Sequence, residues 1–125
     1  MKREIRRLPD SELELMQAIW HCQPPVSRSD IEAHMSRERK LAPTTILTFL
    51  TRLCEKGFLA VERHGKTNCY TPLISEKEYL AQESRSILDR LYGGSLKAFA
   101  TSLVDAGVSK EELEALREML EEGSL

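Results

Sequence analysis

Apolar residues recur at helical spacing in six separate runs along the chain, interrupted once by a pair of short β-prone segments. The first run, Leu13, Leu15, Met16, Ile19 and Trp20, follows Pro9 and Asp10-Ser11, and Ser11 with Glu14 has capping-box spacing. Cys22-Gln23-Pro24-Pro25 ends this helix, because proline has no amide hydrogen to donate and biases the residue before it toward extended backbone. Val26 fits a very short strand. Ser27 and Asp30 repeat the capping-box spacing, and Ile31 with Met35 marks the buried side of a short second helix. A basic turn, Arg37-Glu38-Arg39-Lys40, follows, and then Pro43 at a first helical position and Gly57 just past the end bracket a third helix. Leu59 to Arg63 and Thr67 to Thr71 are β-prone; joined by His64-Gly65-Lys66, they read as a hairpin with a basic tip, closed by Pro72.

From Ser75 onward the pattern is helical without strand signals. Ser75 and Glu78 suggest a cap, and Tyr79, Leu80, Ile87, Leu88, Leu91 and Tyr92 form a stripe ending at Gly93-Gly94. A short helix with Leu96, Phe99, Ala100, Leu103 and Val104 stops near Gly107. Ser109 and Glu112 cap a last one carrying Leu113, Leu116, Met119 and Leu120. The expected fold class is therefore mostly α with a small β-hairpin. Residues 1–73 have the order of a winged helix-turn-helix domain, and residues 74–125 form a three-helix segment too small to bury its own apolar faces. A second copy of the chain would supply the missing partner surface for Leu80, Ile87, Leu91, Phe99, Leu103, Leu116 and Leu120, making residues 74–125 a dimerisation region.

The third helix is the most informative stretch. Ile46, Phe49, Leu50 and Leu53 share one face, while Thr44, Thr45, Thr48, Thr51 and Arg52 share the other, and no acidic residue occurs between Glu38 and Glu55. A solvated helix face ordinarily uses unbranched Lys, Glu, Gln or Arg, since threonine loses rotamer freedom in a helix. A short-armed, carboxylate-free face ending in arginine can instead approach a polyanion closely, with hydroxyls for phosphates or base edges and methyls for thymine. This segment reads as a DNA recognition helix. The competing reading is a partly buried helix packed on a neighbouring element. Lys56 lies by the helix end, where it also suits the helix dipole, and His64 and Lys66 at the hairpin tip are placed to brush a phosphate backbone. The amino-terminal Lys2, Arg3, Arg6 and Arg7 are further candidates for phosphate contact.

Charge supports a division of labour. The chain's net charge of -2 hides a split: residues 1–73 carry 12 Lys+Arg against 9 Asp+Glu, and residues 74–125 carry 6 against 11. Only the local field steers a ligand, so the basic part can meet phosphates although the whole is acidic. With 125 residues, the chain can hold one small core plus an accessory segment. No apolar run is long enough to span a bilayer, and the amino terminus leads into charge, so a cytoplasmic protein without membrane insertion is expected. Cys22, Cys54 and Cys69 are odd in number and widely spaced, which indicates neither a disulfide framework nor a zinc ribbon. His21-Cys22 with His34 or Cys69 matches no ligand spacing, so no metal or cofactor is expected. Nothing in the chain has the pattern of a catalytic set, and an enzyme is not expected.

Three stretches together carry a resemblance. Leu13-Glu14-Leu15-Met16-Gln17-Ala18-Ile19-Trp20, the string Thr45-Ile46-x-Thr48-x-Leu50-x-Arg52-Leu53-x-x-Lys56-Gly57, and Tyr92-Gly93-Gly94 resemble the penicillinase and methicillin-resistance repressors of the BlaI/MecI type, over nearly the whole chain. The resemblance implies a homodimeric repressor on a palindromic promoter operator in double-stranded DNA, controlling β-lactam resistance or related envelope genes, with interlocked carboxy-terminal helices. It places base and backbone contacts on Thr44, Thr45, Leu47, Thr48, Thr51 and Arg52. Thr44 and Leu47 stand where the best-known members have basic residues, which implies a different operator, with Leu47 suited to a thymine methyl rather than a guanine edge. The family's induction step is cleavage between an Asn and a Phe after the double glycine, by a membrane sensor protease. The matching pair here is Thr101-Ser102, so the protease has altered specificity or release follows another signal. Copper-responsive relatives carry a C-x-C tail, and this chain ends Glu121-Glu122-Gly123-Ser124-Leu125. Two other readings compete: a winged-helix module for protein–protein contact, and a repressor switched by metal or redox chemistry at its cysteines.

Overall fold

A computed structural model describes residues 5–35 and 41–123. The elements are α1 (Asp10–Trp20), β1 (Val26–Ser27), α2 (Arg28–His34), α3 (Pro43–Glu55), β2 (Leu59–His64), β3 (Thr67–Pro72), α4 (Glu76–Tyr92), α5 (Leu96–Asp105) and α6 (Lys110–Glu122). The chain divides into two compact units at Glu83/Ser84, so the first turns of α4 belong to the first unit. The basic turn expected around Arg37 to Lys40, and Lys2 and Arg3, lie outside the described residues.

Serine caps open most of the helices. Ser27 and Asp30 form the full reciprocal box at the start of α2: the Asp30 amide donates to Ser27 Oγ at 3.2 Å and the Ser27 amide to Asp30 Oδ2 at 3.0 Å. Ser75 and Glu78 do the same ahead of α4, and Ser109 accepts from the Glu112 amide ahead of α6. Ser95, which the spacing pattern did not single out, accepts from the Ala98 amide at the start of α5. The box expected of Ser11 and Glu14 does not form. Pro9, in extended backbone, is the N-cap of α1, and its carbonyl accepts from the Leu13 amide at 2.9 Å. The helix thus begins two residues earlier and puts Ser11 inside its first turn, where it cannot cap.

In the first unit, β1 and β2 flank β3 in an antiparallel sheet of order β1-β3-β2, with Val26 opposite Tyr70 and Val61 opposite Tyr70 on the other side. β2 and β3 are joined by Gly65-Lys66 alone, with His64 opposite Thr67. Gly65 has φ +66°, the positive value a two-residue hairpin turn demands, so the ladder runs one residue further toward the tip than expected and takes in His64. Pro72 is likewise a strand residue, paired with Leu59.

The core of this unit joins Leu15, Met16 and Ile19 of α1, Ile31 of α2, Ile46, Leu50 and Leu53 of α3, and Val26, Phe58, Leu59 and Tyr70 of the sheet region. Each such fully buried side chain contributes about 1.5–3 kcal/mol before its ordering cost. Tyr79 of α4 closes the core: its hydroxyl accepts from the Leu8 amide at 3.0 Å, and its ring lies 5.8 Å from those of both Trp20 and Phe58. Trp20 is half-buried and donates from Nε1 to the Ile74 carbonyl at 2.9 Å. Helical spacing alone assigns Tyr79 to the carboxy-terminal stripe, whereas the structure buries it in this core. An aromatic ring with a polar tip reaches the buried Leu8 amide and Phe58, and that satisfies both of its parts.

The end of α3 is fixed twice. Gly57, at φ +83°, allows the Phe58 amide to bond the Leu53 carbonyl at 2.9 Å and its own amide to bond Cys54 at 3.1 Å, a Schellman closure. The next constraint is electrostatic. Glu12, buried in α1, accepts from Lys56 Nζ at 2.6 Å, and the Lys56 side chain is itself four-fifths covered.

In the second unit, α5 and α6 have no fully buried residue. Leu91, Leu96 and Leu120 are each more than 60% exposed, and Leu116 and Met119 are exposed as well. The rings of Tyr92 and Phe99 meet edge-on at 5.2 Å. Gly107, at φ +103°, ends α5 with the same closure as Gly57, the Val108 amide bonding the Leu103 carbonyl at 2.9 Å.

Two outcomes follow. Glu12→Ala should lower the unfolding free energy by about 3 kcal/mol in urea titration, because it strands the Lys56 ammonium in a covered site, and Lys56→Met in the same chain should restore a large part of the loss. The backbone amide of Ser27, and then its side chain, hold the Asp30 carboxyl below its ordinary value of 3.8. A depressed folded value stabilises above the unfolded one, so the difference in stability between the native chain and Asp30→Ala should be full at pH 7 and fade as the pH falls below 3.8.

Candidate nucleic-acid interface

Proline at the start and the Gly57 closure at the end define α3 as a helix of 13 residues. Burial of Ile46, Leu50 and Leu53 turns the opposite side outward. Thr44, Leu47, Thr48 and Thr51, spaced i, i+3, i+4, i+7, then form one exposed stripe, with Arg52 beside its end and Thr45 half-buried at its edge. Leu47 is 43% exposed. The first carboxylate along this face is Glu55, one turn beyond Thr51.

Two of the stripe's hydroxyls, those of Thr48 and Thr51, are already occupied as donors. Thr48 Oγ1 donates to the Thr44 carbonyl and Thr51 Oγ1 to the Leu47 carbonyl, each at 3.0 Å. Such back-bonding leaves each hydroxyl with lone pairs only. Arg52 lies with its guanidinium carbon 5.8 Å from the centre of the Phe49 ring, and among the described residues it makes no ion pair, with Glu55 or otherwise. The ring orients the cation while leaving its donors free.

Of the hairpin candidates, His64 faces Glu62, Nε2 to Oε2 at 3.3 Å, and Lys66 occupies the exposed turn. Arg63, which sequence reasoning passed over as a strand residue, is exposed beside them and donates from Nε to the Gly65 carbonyl at 3.1 Å. Lys56 stands apart from the other cations: its ammonium is neutralised by Glu12 inside the protein. Arg7 pairs with Glu83 at 3.6 Å.

The carboxy-terminal candidates are placed separately. Leu80 is exposed on the α4 stretch of the first unit; Ile87, Phe99 and Leu103 are half-buried and Leu91, Leu116 and Leu120 exposed in the second. Thr101 and Ser102 lie inside α5, where Thr101 Oγ1 donates to the Lys97 carbonyl and the Ser102 carbonyl accepts from the Ala106 amide, both at 2.9 Å.

Cys22, Cys54 and Cys69 are free thiols. Cys22 Sγ sits 3.4 Å from His34 Nδ1, but that nitrogen is also 3.0 Å from the Asp30 carbonyl, which can only accept. The ring proton therefore belongs to Nδ1, and the imidazole has no lone pair there to take a proton from sulfur. Among the described residues, no group of three or more His, Cys, Asp or Glu is placed to hold a metal ion, and no helix is long and apolar enough to cross a membrane.

A helical first unit whose exposed third helix is followed by a two-stranded wing is a winged helix-turn-helix, a DNA-binding class. The chain belongs to the penicillinase repressor family, whose model matches residues 8–122, a family of transcriptional repressors. It is 33% identical over 121 residues to the penicillinase repressor of Bacillus licheniformis, covering 96% of this chain and 94% of that one. It is 27% identical over 121 residues to the methicillin resistance regulatory protein MecI of Mammaliicoccus sciuri, covering 96% and 98%. The solved DNA-binding domain of the repressor BlaI matches 62% of this chain and 94% of its own, with a TM-score of 0.52 at 33% identity.

Burial, and then the Asp30 carboxylate, push the Cys22 thiol up from its ordinary 9.0; burial, and then Glu55, do the same to Cys54. The thiolate is the reactive form, so both should alkylate with iodoacetamide more slowly at pH 7 than an unhindered thiol, and accelerate as the pH rises past 9.0. Mass spectrometry of the labelled chain reads this directly.

Proposed function

We propose that the protein is a homodimeric repressor of transcription that binds a palindromic operator, with α3 in the major groove and the β2–β3 wing against the flanking backbone. The observation that carries this is the outward stripe of α3, free of carboxylates from Thr44 to Arg52 and ending in a cation whose donors are unspent. In this reading Thr44, Thr45, Leu47, Thr48 and Thr51 meet base edges or sugars, and Arg52 meets phosphate. Arg63, His64 and Lys66 touch the backbone from the wing. Lys56 serves the fold instead. Its likeness to a penicillinase repressor and a methicillin resistance regulatory protein supports control of β-lactam resistance as the biological setting; related envelope genes and a cytoplasmic location belong to the same reading.

Residues 1–73 serve DNA binding and residues 74–125 dimerisation, although the first turns of α4 belong to the winged unit. The exposed Leu80, Leu91, Leu116 and Leu120, together with Ile87, Phe99 and Leu103, supply the apolar surface of a self-complementary interface. Release from DNA follows from loss of that interface, since a single winged unit forgoes the effective concentration of the second half-site. Proteolysis by a membrane sensor protease at Thr101-Ser102 would do this only after α5 unwinds locally, because both residues lie within its hydrogen-bonded ladder. The raised thiols of Cys22 and Cys54 give no support to redox release, and the unspent donors of Arg52 favour DNA over a protein partner on the same face.

Binding to the promoter that lies upstream of the gene tests the reading. Arg52→Ala should weaken it by about 1–3 kcal/mol across sequences and lower the salt slope by about one unit. Sedimentation of the full chain at micromolar concentration should give twice the 14.3 kDa chain mass. Unchanged affinity in Arg52→Ala together with Thr48→Ala would remove α3 from the interface, and a monomer that still binds tightly would remove the dimer.

A further inference from the structure

We infer that Leu47, Thr48 and Thr51 on the exposed stripe of α3 recognise base pairs through C5-methyl groups of thymine and exocyclic amino hydrogens of adenine or cytosine, with Leu47 as the central specificity-determining residue. This rests on the proposed DNA-binding role of α3 and specifies what that face can read.

The donors and acceptors of the stripe decide what it can read. Guanine presents only acceptors, N7 and O6, in the major groove, and the side chains that select it are donors, above all arginine and lysine. On the stripe of Thr44, Leu47, Thr48 and Thr51 no side chain is a cation. Thr48 and Thr51 each have one hydroxyl proton, and both protons are held by carbonyls of the preceding turn at 3.0 Å. Giving that proton to guanine would exchange one hydrogen bond for another. What the two hydroxyls offer without rearrangement is lone pairs, which match the N6 amino group of adenine and the N4 amino group of cytosine. Turning Oγ1 back onto the helix also leaves the γ-methyl as the branch of each threonine free to meet a ligand. Leu47 stands one turn from both Thr44 and Thr51 and directly before Thr48, so the apolar surface of the stripe is continuous around it. Its isobutyl group finds one apolar counterpart in the major groove, the thymine methyl. Arg52, at the end of the stripe and oriented by Phe49, is left to position the helix on phosphate.

The chemistry can be tested from the DNA side, leaving the protein fold untouched. The full-length protein is first used to select duplexes from a random-sequence library of roughly 30 base pairs, long enough for two half-sites a helical turn apart. The selected duplex is then resynthesised with deoxyuridine for thymidine at single half-site positions, which removes only the C5 methyl. Loss of about fourfold affinity per contacted methyl is expected, the value of one buried methyl-sized group. In Leu47→Ala, whose side chain lies at the surface, at least one of those thymine-over-uracil preferences should disappear while the others remain. Equal affinity for thymine and uracil at every half-site position would overturn the methyl reading and leave specific DNA binding intact. An identical uracil effect in Leu47→Ala would assign the preference to the threonine methyls or to DNA shape and overturn the role of Leu47. Selection of guanine contacts that depend on Thr48 or Thr51 would overturn the acceptor-only assignment. Failure of the library to yield any preferred sequence would overturn the DNA-binding reading itself.

Discussion

The Glu12–Lys56 ion pair, at the edge of the apolar core, joins the helix at the start of the first unit to the end of the helix that faces outward. It ties a buried carboxylate of α1 to the residue that caps the end of α3, at 2.6 Å, where both charges are largely covered. Such a pair adds little to net stability compared with apolar residues of similar volume, but separating its partners strands a covered charge, so it holds the two helices together at this point. Beside it, the Schellman closure at Gly57 turns the chain directly into Phe58 and β2. The exposed face of α3 and the wing are therefore oriented from a single corner of the core. Tyr79 braces that core from α4, through the Leu8 amide and the rings of Trp20 and Phe58.

In the proposed function, the outward face of α3 meets DNA without being basic. Threonines are poor helix residues because their hydroxyls compete for backbone partners, and here that competition is resolved inside the helix. The result is a smooth, short-armed surface with one oriented cation. The net acidic charge of the chain does not work against it, since the excess of carboxylates belongs to residues 74–125.

Much of this was legible in the sequence because it depends on local chemistry. The period of Ile46, Leu50 and Leu53 dictated which side of α3 faces inward, and three of four serine-led cap spacings formed the bonds their spacing implies, at Ser27, Ser75 and Ser109. Ser11 failed because Pro9, two residues earlier, offered an extended N-cap and a carbonyl that Leu13 takes. The rest was illegible for a different reason: it depends on contacts between distant residues. Nothing local distinguishes Lys56 from a surface cation at a helix end. Only the approach of Glu12, 44 positions away, turns it inward. Tyr79 looked like part of the carboxy-terminal stripe for the same reason, since its partner Leu8 is 71 positions distant. The donor state of Thr48 and Thr51, and the seat of Arg52 over Phe49, are rotamer facts that no spacing rule encodes.

The central claim is that α3 and the wing together form the DNA-facing surface. Its most direct test is an amide chemical-shift map of the 15N-labelled protein titrated with a selected duplex. The account predicts that the shifts concentrate on Thr44 to Arg52 and on Arg63 to Lys66, with Glu12, Leu15 and Ile31 unmoved. Shifts centred on α5 and α6, with α3 unchanged, would contradict it.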